Sequence, residues 1–169
     1  MTSLFPHTPY AEDQPNAHAI LYLHVMRASA MSFTFLSLFQ IPISLIRARR
    51  SPVPIPMSAL FAGTLKVSGR SLILGTVAGA GMVWGRMRGK EDIEWKDRSW
   101  RILENKGEVQ TDWVTLGGAS AGAVVGLLAA RRGAIPASAG NALLGGAGLG
   151  MATGVPFMIG TFATGRKPS

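Results

Sequence analysis

Long charge-free apolar runs constrain this chain more than any other feature. Ala28 to Ile46 is 19 residues without a charge and Ser71 to Gly85 is 15, while Trp113 to Ala130 and Ile135 to Thr164 contain none either. A helix needs roughly 20 apolar residues to cross about 30 Å of hydrocarbon, and within lipid each backbone N–H and C=O must find its partner inside the chain. The runs therefore predict an all-α membrane protein with four transmembrane helices, over about 18–46, 57–85, 113–130 and 135–164. Charged residues make up only 15% of the chain, against roughly 25% in soluble domains. That deficit is expected if much of the surface faces lipid.

Polar and proline-rich segments separate the runs. Residues 1–17 contain Pro6, Pro9 and Pro15 and read as an extended N-terminal arm. Arg47, Arg49 and Arg50 close the first span, and Pro52, Pro54 and Pro56 forbid a helix through the turn. Residues 86–112 form a polar central loop. Within it, Glu94 with Arg98 and Asp97 with Arg101 have i,i+4 spacing, and Ile93, Trp100 and Leu103 fall on another face. This predicts a short amphipathic helix from Glu91 to Glu104, stopped at Asn105-Lys106-Gly107, with Asp112 capping the next helix. Arg131-Arg132-Gly133 separates the last two spans, and Pro136 suits the first turn of the fourth. Residues 18–165 thus form one four-helix domain, followed by a basic tail at 166–169.

Most of the 21 glycines lie after Gly117, and they are spaced. Gly118, Gly122 and Gly126 repeat every four residues in span three, Gly146, Gly150 and Gly154 in span four, and Gly75 and Gly79 in span two. Four-residue spacing keeps them on one helix face. A glycine face lets two backbones approach closely where lipid removes the hydrophobic drive for association. The spans are therefore expected to pack through glycine-rich faces.

The net charge of +8 raises nucleic acid as a partner, but the positions of the charges exclude it. Arg47, Arg49, Arg50, Arg131, Arg132, Arg166 and Lys167 flank apolar segments, which suits anionic phospholipid headgroups instead. Lys66 and Arg70 lie inside span two, where a basic residue needs a partner, a wet path or a route to the interface. They are candidate contacts to lipid headgroups or to another subunit. There is no cysteine, and His7, His18 and His24 have no acid close in sequence, so no metal site is expected. Gly145, Gly146 and Gly148 follow no strand, which rejects a dinucleotide loop. Ser and Thr have no neighbouring base for a triad, so neither catalytic nor cofactor-binding residues are expected. Trp84, Trp95, Trp100 and Trp113 cluster around the central loop, as in an interfacial aromatic belt.

Four short spans with glycine repeats resemble the family that includes mitochondrial inner-membrane protein translocase channels and a four-helix accessory subunit of respiratory complex I. The stretch Asp97-Arg-Ser-Trp-Arg-Ile-Leu-Glu-Asn-Lys-Gly107, followed by Asp112-Trp113 and a Gly/Ala-rich span, more closely resembles fungal accessory membrane subunits of complex I. The translocase branch has an aromatic residue, an Arg and an Asp four positions later, then glycines. Arg88 and Asp92 keep that spacing, but Val77 replaces the aromatic and Ser99-Trp100 the glycines. The resemblance implies a non-catalytic structural subunit of the mitochondrial inner membrane with no cofactor of its own. Other membrane subunits and structural phospholipids, cardiolipin among them, are its implied partners; a translocase channel component is the alternative.

Short basic loops near span ends dominate the positive-inside rule. Arg47–Arg50 and Arg131-Arg132 are therefore expected in the matrix, with the termini and the central loop in the intermembrane space. Protease added to mitoplasts should then cleave within Glu91–Gly107; protection there with cleavage at Arg131 would invert the topology.

Overall fold

Proline decides where two of the apolar runs break. The structure is a computed structural model that describes residues 1–165, all helix and connection with no strand among them. The first run forms α1 (Ala17–Ser37) and α2 (Gln40–Arg50). Pro42 has no N–H to offer the Leu38 carbonyl, which instead accepts from Ile41 N at 3.0 Å in a tightened turn. The last run breaks the same way into α6 (Ala139–Met151) and α7 (Gly154–Ala163). Pro156 cannot reach the Ala152 carbonyl, so Val155 N donates to it at 3.3 Å. Between these lie α3 (Met57–Met87), α4 (Asp92–Glu104) and α5 (Lys106–Arg131).

Three stretches are long and apolar enough to cross a membrane: Ala17–Arg50, Lys106–Arg131 and Ala139–Ala163. The protein is accordingly membrane-associated. α3 is the longest helix, at 31 residues, but is not among the three. Lys66, Arg70 and Arg86 interrupt its apolar sequence.

α3 lies along α1 on one side and α6 on the other, and α6 in turn lies along α5. α7 touches α5 and α1, and α4 crosses the end of α1. Glycine sets how near these helices come. A Cβ on Gly118, Gly122 or Gly126 of α5 would collide with the carbonyl of Gly150, Gly146 or Ala142 of α6, respectively. On α3, a Cβ at Gly75 would lie 2.7 Å from Ala30 Cα, and one at Gly79 would lie 2.7 Å from Met26 Cα. Beyond the break, Gly154 of α7 still packs on α5, at Thr115, and also meets Met31 of α1. α6 also uses a second glycine face, with Gly145 against Leu65 and Gly148 against Ser68 of α3.

Several local expectations are corrected. Residues 1–17 are not extended but fold back in two 3-10 turns, Thr2–Leu4 and Ala11–Asp13. Gln14 Nε2 donates to the Pro6 carbonyl at 2.8 Å, and Trp100 Nε1 to the Thr8 carbonyl at 2.9 Å. Prolines leave the arm short of backbone donors, so side chains fold it. α4 runs over the predicted residues, yet its inward face is Trp95, Ser99 and Ile102, and Ile93 is exposed. Asp97 pairs with Arg101, while Glu94 pairs with Lys90 and Asp92 with Lys96. The polar central segment is mostly helical, because α5 begins at Lys106. Asn105, not Asp112, caps α5, accepting from the N–H groups of Gly107 and Glu108. Pro136 sits in the turn before α6, which starts behind an Ser138 cap. Gly133 relieves that turn at φ 70°, where a side chain would be strained. The basic tail at 166–169 lies outside the described residues.

The α5–α6 seam yields a controlled test. Gly122→Leu forces the backbones apart, while nothing lies within 4 Å of a Cβ at Gly117 five residues earlier. Thermal unfolding in detergent should show Gly122→Leu losing about 1–3 kcal/mol or more from overpacking, with Gly117→Leu close to wild type. Equal melting of both variants would mean that the seam does not hold the helices.

Candidate functional site

The polar site within the helices begins with Arg27, the cation that interrupts α1. Its side chain is only 3% exposed and that of Asp112 on α5 is fully buried. Arg27 Nε approaches Asp112 Oδ1 to 2.7 Å, an ion contact whose N–H is not aligned for a hydrogen bond. Nη2 of the same guanidinium donates to Glu108 Oε2 at 2.9 Å and lies 3.4 Å from His24 Nδ1. Asp112 Oδ2 accepts from the Thr2 N–H at 3.1 Å and the Thr2 hydroxyl at 2.7 Å. Glu108 and Asp112 are one helical turn apart on α5, as His24 and Arg27 are on α1, so two short faces supply four of the groups.

One turn further along, Met31 of α1 and Thr115 of α5 meet Gly154 of α7. Thr115 Oγ1 donates to the Thr111 carbonyl at 2.6 Å and lies 3.6 Å from Met31 Sδ. The ion cluster thus stands at the junction of α1 and α5, beside the contact that brings in α7. A buried carboxylate and guanidinium are expensive to desolvate, and the expense is offset only while each keeps its partner. Arg27 is opposed here by two carboxylates, and both oxygens of Asp112 are in contact. The arrangement ties the arm, α1 and α5 to one point.

The other histidines serve packing. His7 stacks on Trp100 with ring centroids 5.6 Å apart, and its Nε2 is 3.2 Å from Glu104 Oε1. His18 meets the Trp95 ring edge-on at 4.0 Å. Trp84 and Trp113 are exposed; Arg88 lies over the Trp84 ring at 5.2 Å, and Trp113 Nε1 donates to Ser3 Oγ at 3.1 Å. Arg88 and Asp92 are not joined, since Asp92 holds Lys96 at 2.9 Å.

Arg47, Arg49 and Arg50 end α2 and are exposed, as are Arg131 and Arg132 at the end of α5. Because Gly126 meets Ala142 and Leu65 meets Gly145, the end of α5 lies beside the starts of α3 and α6, so these arginines gather at one end. A mostly apolar crevice of about 200 Å³ opens near them between α2 and α3, lined by Ile41, Leu45, Leu60, Phe61 and Leu149 among others. At the opposite end, an open groove of about 720 Å³ lies between the arm and α4, edged by Glu12, Asp97, Arg98 and Arg101. Lys66 and Arg70 are exposed, and among the described residues no carboxylate lies within 4.0 Å of either.

Residues 9–153 match a family described as a protein of unknown function, DUF1757. The chain belongs to that family. The match takes in the arm from Pro9, the ion cluster's Arg27, Glu108 and Asp112, and the whole α5–α6 seam. No curated protein matches the chain.

Sequence reasoning did not find the Arg27–Asp112 pair, Gly69, or the roles of Gly145 and Gly148. A lone cation in an apolar run and an acid at the edge of another were the available signal for the pair. The glycine triplet at 145–148 was the signal for a second face. The pair has a measurable consequence. Asp112→Asn should destabilise the protein by roughly 1–3 kcal/mol, because the buried guanidinium then keeps Glu108 as its one remaining carboxylate, and adding Arg27→Leu to Asp112→Asn should recover part of the loss. Detergent unfolding curves check this; a double variant no better than the single would mean that the charges contribute independently.

Proposed function

We propose that the protein is a non-catalytic accessory subunit of the membrane arm of mitochondrial complex I, a four-span bundle of the inner membrane that stabilises the assembly and holds phospholipid. The observation that carries the structural role is the commitment of Arg27, Glu108 and Asp112 to one another across α1 and α5. Intramembrane relays use ionisable groups that can exchange protons along a path. Here a guanidinium, which does not deprotonate in proteins, occupies the centre of the cluster. The assignment to complex I rests on the resemblance carried by Asp97–Gly107 and Asp112-Trp113.

In this reading α3 is the fourth span, too interrupted by charge to be stable alone and held between α1 and α6. The arginines at the end of α2 and α5 meet anionic headgroups, each worth on the order of 1 kcal/mol near such a surface. The apolar crevice between α2 and α3 accommodates part of an acyl chain, and cardiolipin fits the clustered positive charge.

Blue-native electrophoresis of mitochondrial membranes tests the reading. The protein should migrate with complex I, and its deletion should lower the amount of assembled complex while leaving turnover per assembled complex unchanged. Migration with a protein translocase would replace it with the channel alternative. A large fall in turnover at normal assembly would end the non-catalytic reading.

A further inference from the structure

Lys66 and Arg70 differ from the other exposed basic residues in depth. Leu65 meets Gly145, which is six residues into α6. At about 1.5 Å per residue, Lys66 then lies roughly 10 Å, and Arg70 roughly 17 Å, from the level where α6 begins. In the other direction, Gly79 meets Met26 beside Arg27, some 14 Å beyond Arg70. On the four-span reading given above, on which this inference rests, Arg70 stands near the middle of about 30 Å of hydrocarbon. Lys66 can snorkel to the basic end from its depth; Arg70 is too far.

The surrounding face is unoccupied within the fold. Gly63, Lys66, Arg70, Val77 and Gly81 recur at three-, four- and seven-residue spacing and all are exposed, Val77 to 65% and its neighbour Leu74 to 60%. A Cβ on Gly63 or Gly81 would meet nothing within 4 Å, in contrast to Gly69, Gly75 and Gly79, which touch α6 or α1. These outward glycines therefore serve no contact inside the molecule, and they leave room for another backbone to approach on either side of two uncompensated positive charges. A guanidinium exposed to lipid at that depth is unfavourable even on insertion scales. A carboxylate opposite it removes that penalty and forms a bidentate pair.

We propose that this outward face of α3 docks a transmembrane helix of another polypeptide that carries an aspartate or glutamate at mid-bilayer depth. The carboxylate pairs with Arg70, and Lys66 sits one turn nearer the basic interface.

The test exploits a reversal of sign. At a lipid-facing position Arg70→Leu removes an unfavourable group, so association in the native membrane complex would hold or improve. At a partner-facing position the same change strands the partner's acid, so the fraction of the protein in its high-molecular-weight assembly should fall roughly tenfold or more, with Arg70→Lys, which keeps the charge but not the two-pronged geometry, retaining part of it. The isolated variant in detergent should melt with the wild type, since Arg70 makes no ion pair among the described residues. A photo-reactive benzoylphenylalanine at Val77 in the full-length protein in mitochondria should cross-link to a single membrane peptide containing Asp or Glu within an apolar run. Adducts to phospholipid only, or unimpaired assembly of Arg70→Leu, would overturn the proposal. Cross-linking to such a helix in a protein outside complex I would uphold the docking face and remove the complex I assignment. Lipid adducts alone in a protein that still migrates with complex I would do the reverse.

Discussion

The architecture depends on α6 presenting glycines on two of its sides. Helix axes usually stand 8–10 Å apart because side chains fill the space between them. Where Gly146 and Gly150 face Gly122 and Gly118, only backbone separates the two helices, and Gly145 and Gly148 do the same toward Leu65 and Ser68 of α3. Dispersion falls steeply with a gap of even 0.5–1 Å, so close approach along two seams draws on contacts that bulkier helices in lipid would not make. α6 becomes the member on which α3 and α5 are both placed.

With α5 and α3 fixed against α6, and α1 fixed against α3 through Gly75 and Gly79, the middle of α1 and the first turns of α5 are brought side by side. That proximity makes the Arg27 cluster possible. Arg27 and Asp112 are buried at that junction, so helices that shifted past one another would part the two charges. The glycine seams set distance, which they do without preferring any one register strongly. The ion cluster selects register, because charge pairing is sensitive to shifts that dispersion tolerates. Thr2 adds the arm to the same point, which explains why a polar, proline-rich segment is folded back over α4 and α5.

The same reasoning separates the basic residues into two groups. Arg27 is buried with acids supplied by its own chain. Lys66 and Arg70 sit on the outward side of the neighbouring helix with none among the described residues, although the charges are equally conspicuous in the sequence. An apolar helix face bearing uncompensated charge and outward glycines has the character of one half of an interface.

Much of the framework was legible in the residues themselves. Apolar runs and i,i+4 glycines are local patterns, and helix formation and face periodicity are local physics, so α1, α3, α4 and α6 lie within the segments expected, whereas the breaks before α2 and α7 and the start of α5 at Lys106 were not anticipated. The boundaries of α4 were readable from charge spacing, but not its inward face, because Trp95 and Ile102 pack against Leu21, Val83 and Met87 from other helices. The capping role expected for Asp112 failed for a related reason: Asn105 begins the helix earlier, and the carboxylate is drawn into the interior by a guanidinium 85 positions away in the chain. Sequence by itself determined which segments are helical, which faces are thin enough for backbone contact, and that two basic residues lie within an apolar stretch. Only the tertiary structure decided which thin face meets which, that Arg27 has acids and Arg70 has none, and that Gly145 and Gly148 form a second seam. Those outcomes depend on distances between segments remote in sequence, and no local periodicity encodes them.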